Sequence, residues 1–191
     1  MLKPDKREEI VKASLELIAE HGFHGAPMAL IAERAGVGAG TIYRYFENKD
    51  VLITQLYEEL EARITPLILE KYDPAKPIRE RFMHVVTSTL RYLIDHPIDF
   101  RFLEQFVNSP YGVACRRDKF FGSRTKCDIH RALFEDGIAQ QVMKELPLII
   151  LFDLTFGPLL AMARDHILGF LTLDEALIFR TVEACWDAVR R

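Results

Sequence analysis

Apolar residues recur along this chain at spacings of three and four, the period of a helix, and never alternate long enough to make a strand. Ile10, Ser14, Leu17, Ile18 and His21 fall on one face of a first helix, with Asp5 placed to cap its start and Gly22 to end it. A second helix is predicted from about Pro27, which suits a first helical position, to Ala35, with Leu30, Ile31 and Ala35 facing inward. A third runs from about Ala39 to Phe46, and Ile42 and Phe46 share its inner face. Asn48 caps a long fourth helix in which Leu52, Leu56, Leu60 and Ile64 repeat every four residues, until Pro66 kinks or ends it. Tyr72-Asp73-Pro74-Ala75-Lys76-Pro77 reads as a linker, and helices are then predicted at about 77–95, 98–108, 117–141, 145–169 and 173–190. The fold class is all-α with about nine helices, divided near residues 47–50 into a three-helix unit and a larger helical bundle.

The densest signal lies at Gly36-Val37-Gly38-Ala39-Gly40-Thr41-Ile42-Tyr43-Arg44-Tyr45-Phe46. Gly36 stands where a helix C-terminus takes a left-handed residue, and Val37 is apolar enough to plug the gap between two helices. Gly38 or Gly40 lets the backbone approach another chain or a phosphate, and the amides that open the third helix suit an anion. The segment carries hydroxyls, a guanidinium and two phenols, groups that contact phosphates and base edges. A short helix, a glycine-containing turn and a second short helix make a helix-turn-helix, whose second helix enters the DNA major groove. A dinucleotide fingerprint would need glycine at Thr41 and a preceding strand, and a phosphate-binding P-loop would need Gly-Lys-Ser/Thr; neither condition is met.

Charge narrows the picture. The chain of 191 residues has a formal net charge of −3. Within residues 1–49, Lys3, Lys6, Arg7, Lys12, Arg34, Arg44 and Lys49 are balanced by Asp5, Glu8, Glu9, Glu16, Glu20, Glu33 and Glu47. DNA contact therefore relies on a local patch and helix N-termini rather than a basic field, and steering by charge is expected to be weak. Cys115, Cys127 and Cys185 show no metal or disulfide spacing, which fits a reduced, cytoplasmic setting, and the charged N-terminus is no signal peptide. The apolar stretch Leu146–Ala163 carries Asp153, Pro147, Gly157 and Pro158, so it reads as a buried helix rather than a membrane span. His21, His24, His84, His96, His130 and His166 have no metal spacing, and no nucleophile elbow or local Cys–His pair appears. No metal, no cofactor and no catalytic residue are expected.

Over residues 10–60 the sequence resembles the TetR family of bacterial transcriptional regulators. The resemblance is carried by Ile31-Ala32-Glu33-Arg34-Ala35-Gly36-Val37, by Gly40-Thr41-Ile42-Tyr43-Arg44-Tyr45-Phe46 and by Asn48-Lys49-Asp50 with Leu52. It implies a helix-turn-helix DNA-binding domain at 1–48 and a ligand-binding and dimerisation domain at 49–191. It further implies that Gly40 and Thr41 approach DNA, that Tyr43 and Tyr45 donate hydroxyls to phosphates, that Arg44 contacts a base, its fork matching guanine O6 and N7, and that Lys49 neutralises a phosphate. The chain departs from the family at Ala26, Pro27 and Ala29, where a hydroxyl and a basic residue are common, and at Gly38-Ala39, where Ser and Lys or Glu are common. The overall pattern is also similar to the members that repress multidrug-efflux genes.

By this resemblance the chain is a homodimeric repressor, released from a palindromic double-stranded DNA operator by a small-molecule effector. A ligand in the second domain changes the separation of the two recognition helices, which half-sites one turn apart set at about 34–36 Å. Tyr92, Phe100, Phe102, Phe106, Phe152, Phe156 and Met162 suit an apolar, aromatic-lined pocket, with Asp153 as its polar determinant, set against a pairing with a neighbour such as Arg164. The last two helices form the dimer through an apolar stripe of Leu159, Leu160, Ala163, Ile167, Ile178, Val182, Cys185, Trp186 and Val189, Trp186 being the anchor. The basic run Arg116, Arg117, Lys119, Arg124, Lys126 and Arg131 reads as a solvated face. The rival is a helical small-molecule-binding protein or an enzyme without DNA activity.

Overall fold

The computed structural model describes residues 5–121 and 128–191. They form ten α-helices: α1 (Lys6–Gly25), α2 (Met28–Arg34), α3 (Ala39–Tyr45), α4 (Lys49–Ile68), α5 (Ile78–Asp95), α6 (Pro97–Val107), α7 (Pro110–Phe121), α8 (Ile129–Ala139), α9 (Leu148–Ile167) and α10 (Glu175–Val189). The one extended pairing among the described residues is an isolated antiparallel bridge between Met143 and Arg190. No helix among them is long and apolar enough to cross a membrane.

Local chemistry sets the boundaries. Asp5, Asn48, Asp128 and Asp174 each accept a backbone N–H at a helix start, which satisfies an otherwise orphaned donor. At Gly22 the backbone turns to φ 74°, ψ 174°, so α1 is interrupted there and resumes to Gly25. Pro66 leaves α4 running on to Ile68. The helix predicted over 117–141 begins earlier and is divided. Ser109 caps α7 by accepting from the Gly112 N–H at 3.3 Å, and Pro110 takes the first helical position. Asp128 caps a separate α8, and residues 122–127, with Cys127, Arg124 and Lys126, lie outside the described residues.

The chain divides into two compact units. The first holds residues 1–63 and 97–114, so α6 joins the three N-terminal helices and most of α4. Its core contains Ile10, Leu17, Ile18, Ile31, Ile42, Phe46, Leu52, Leu56, Leu60, Phe102 and Phe106, all buried. Gln105 of α6 donates to the Ile18 carbonyl of α1 at 2.7 Å, and Tyr57 of α4 stacks on Phe106 at 4.1 Å. The expected division at residue 48 follows the helix-turn-helix, whereas packing extends this unit along α4 and adds α6.

The second unit holds residues 64–96 and 115–191. Here α5 packs against α8, α9 and α10, burying Phe82, Val85, Val86, Leu90, Phe134, Leu151, Leu159 and Val182. Arg81 is buried yet satisfied: it donates to the Tyr72 hydroxyl and to Asp136, each at 2.8 Å. Both α4 and α7 contribute residues to the two units.

Candidate functional site

The turn after α2 closes as a left-handed C-cap. Gly36 adopts φ 65°, its N–H donates to the Glu33 carbonyl at 3.0 Å, and the Val37 N–H reaches back to Ala32 at 2.9 Å. The chain then extends through Gly38 into α3, where the Thr41 N–H donates to the Gly38 carbonyl at 2.7 Å. Ile42 and Phe46 are fully buried. Their burial leaves Tyr43 (56% exposed), Arg44 and Tyr45 facing solvent, with Gly40 exposed and Thr41 half-exposed. A β-carbon on Gly40 would meet nothing within 4 Å, so the start of α3 is open to a large partner. Arg44 has no hydrogen bond or ion pair among the described residues.

Most other cations of this unit are engaged. Arg7 lies over the Phe46 ring at 5.5 Å and pairs with Glu59, while Arg34 pairs with Glu16 and Glu20. Arg63 pairs with the buried Asp99 at 2.7 Å. The Lys49 ammonium donates to the Phe23 carbonyl, and burial lowers its pKa from the ordinary lysine value. No local sequence signal assigns these contacts to Arg7, Phe23 or Tyr111, because they join elements far apart in the chain. Ser109-Pro110 was the legible signal for the helix that carries Tyr111.

The residues expected around an effector divide between the units. Phe100, Phe102 and Phe106 are buried in the first, where Phe102 meets Phe23 at 6.3 Å and Phe106 at 6.0 Å. They serve as its core. Tyr92, in the second unit, is buried and stacks on His96 at 4.1 Å. Phe152 and Phe156 do come together, 4.5 Å apart, and are joined by Phe120, His130 and Phe134. Around this cluster the Lys119 ammonium lies 4.8 Å from the centre of the Phe152 ring and 2.8 Å from Asp128. Burial would raise the Asp128 pKa, but the hydrogen bond from His130 and the charge of Lys119 outweigh it and hold the carboxyl well below the usual range. Asp153 pairs with Arg116 at 2.6 Å rather than with Arg164.

The stripe expected for the dimer is for the most part the inward face of α9 and α10. Leu159, Ala163, Ile178, Val182 and Trp186 are buried within the single chain, Leu160 and Ile167 half-buried. Trp186 packs on Phe82 at 5.2 Å, and Cys185 is buried enough to push its thiol up to about 11. Within the chain this face of α9 and α10 meets α5. The outward residues of these helices include Ile150, Leu154 and Phe179, with Leu168 and Phe170 in the loop between them.

Comparison with known proteins agrees with this geometry. Residues 10–56 match the model for bacterial regulatory proteins of the tetR family, and residues 77–190 match that for the tetracyclin repressor-like C-terminal domain. An uncharacterized HTH-type transcriptional regulator of Haemophilus influenzae is 26% identical over 196 residues, covering 99% of this chain and 98% of the relative. A TetR family protein from Vibrio parahaemolyticus superposes with a TM-score of 0.76 at 31% identity, covering 98% of this chain and 99% of that one. The regulator FadR of Bacillus subtilis, solved with stearoyl-CoA, shares the fold at a TM-score of 0.71 and 18% identity, over 95% of this chain and 96% of that one. With its second family model alone spanning more than half its length, the chain belongs to the TetR family of bacterial regulatory proteins and is a DNA-binding transcriptional regulator.

Proposed function

We propose that the protein is a ligand-released repressor that reads a palindromic operator as a homodimer. The observation that carries the reading is the outward face of α3. Tyr43, Arg44 and Tyr45 are all exposed, while Ile42 and Phe46 fix the helix to its unit. Arg44 supplies base recognition, its fork matching guanine O6 and N7, and Thr41, Tyr43 and Tyr45 supply uncharged phosphate contacts beside the open Gly40. A dimer presents two such helices, so the operator repeats with two-fold symmetry. The apolar outward residues Ile150, Leu154 and Phe179 are the mating surface, since large apolar groups in an unpartnered chain mark such contacts.

The effector is an apolar or aromatic small molecule held at Phe152 and Phe156, with Asp153 at the edge. The stearoyl-CoA held by the fold-sharing Bacillus subtilis regulator carries a long apolar chain of the same kind. The protein acts in the cytoplasm and catalyses no reaction. Selection of bound duplexes from a randomised library by the full-length protein tests the reading. A two-fold symmetric consensus is the expected result. If no sequence survives above non-specific retention, the chain is instead a helical small-molecule-binding protein or an enzyme.

A further inference from the structure

The start of α4 carries two charged side chains, Lys49 and Asp50, and each hydrogen-bonds within its own unit. The Lys49 ammonium donates to the carbonyl of Phe23, which lies just past the break at Gly22. The Phe23 ring meets the Tyr111 ring at 5.7 Å, and the Tyr111 hydroxyl donates to Asp50 at 2.5 Å. These contacts close a circuit: Lys49 to Phe23, Phe23 to Tyr111, Tyr111 to Asp50, and Asp50 back to Lys49 through one peptide bond.

The circuit draws on three helices that are distant in sequence. Phe23 belongs to the last turn of α1 and Tyr111 to the first turn of α7. Only Phe46, Glu47 and Asn48 separate α3 from α4, and Phe46 is fully buried. A shift at the start of α4 is therefore passed to α3 with little slack. A phenol is protonated at neutral pH and so is the donor here, and the hydrogen bond to Asp50 raises the Tyr111 pKa further.

We infer that Lys49 and Tyr111 are positioning residues, which lock the start of α4 to the ends of α1 and α7 and thereby hold α3 in the orientation that reads DNA. The resemblance to the family assigns Lys49 to a phosphate instead. The two roles differ in a measurable way, because each neutralised phosphate steepens the dependence of log affinity on log salt by about 0.9. A lysine that stays on Phe23 leaves that slope alone.

The inference rests on α3 being the DNA-reading helix. Failure of that premise shows separately, as an Arg44→Ala variant with unaltered base preference. The test compares the parent, Lys49→Met and Tyr111→Phe on the operator duplex the parent selects and on a scrambled duplex of equal length, across a salt series. The phenylalanine variant keeps the ring against Phe23 and removes one donor. Both variants are expected to bind the operator about tenfold more weakly, to bind the scrambled duplex within about twofold of the parent, and to keep the parental salt slope. A slope lower by about 1.8 in Lys49→Met, about 0.9 for each of the two lysines of the dimer, would assign its charge to a phosphate and overturn the inference. Parental operator affinity in Tyr111→Phe would also overturn it. So would a lowered unfolding midpoint with an unchanged ratio of operator to scrambled binding, which is the mark of a role in stability alone.

Discussion

Replacing Gly112 with alanine adds one methyl group at the tightest point between α6 and α7. The new β-carbon would stand 2.1 Å from the Phe106 carbonyl oxygen, 2.7 Å from the Val107 α-carbon and 2.8 Å from the Val107 carbonyl oxygen. All three are backbone atoms, so no side chain can swing aside. Alanine also gains about 0.5–1 kcal/mol over glycine in a helix, which works in the opposite direction. Overpacking of this kind costs about 1–3 kcal/mol and sometimes more, and contact with rigid backbone places it at the upper end. The net loss expected is about 2 kcal/mol, which for a chain of this size lowers the thermal midpoint by about 4–8 °C. Differential scanning calorimetry of the parent and Gly112→Ala at equal concentration reads this directly. A midpoint at or above the parent's would refute the reasoning, because it would mean that the propensity gain outweighs the contact. The two helices must part at Ser109-Pro110, so Tyr111 moves with them, and operator affinity should fall alongside stability.

Three further outcomes follow from the second unit. Asp128→Asn keeps the helix cap but removes the charge facing Lys119 and His130, and should cost about 1–3 kcal/mol at neutral pH in urea unfolding. Because the folded-state pKa of Asp128 is depressed, that contribution is present above the unfolded value near 3.9 and is lost as pH falls through the folded value; the gap between parent and variant should close in acid. Trp186→Ala should destabilise the folded chain by about 3–5 kcal/mol, since Trp186 packs on Phe82 inside the unit, rather than merely dissociate a dimer. Leu154→Glu with Phe179→Glu, both exposed, should shift sedimentation to monomer while leaving the far-ultraviolet circular dichroism unchanged; an intact dimer would place the mating surface elsewhere.

The elements of the fold were legible wherever a local rule decides them. Asp5 and Asn48 cap the helices predicted for them, and Gly36 takes the left-handed turn. The exposed face of α3 follows from one spacing, the four residues between Ile42 and Phe46. What escaped depends on contacts between distant segments. The helical period puts Leu159, Val182 and Trp186 on one face, but it carries no mark of whether that face meets α5 or a second chain. Phe100, Phe102 and Phe106 have the composition of a pocket lining, yet all three are buried in the first unit, Phe102 against Phe23 and Phe106 against Tyr57. The Lys49 contact was hidden because its acceptor is a backbone carbonyl, which has no residue signature.

The central claim is that α3 reads the operator through Arg44, the exposed cation of that helix. Its direct test is the base preference of Arg44→Ala on the selected operator, measured by competition with duplexes substituted one base pair at a time. The account predicts loss of about 1–3 kcal/mol of discrimination at one symmetry-related pair of positions, with the remaining positions unchanged. Parental affinity and parental preference at every position would contradict it.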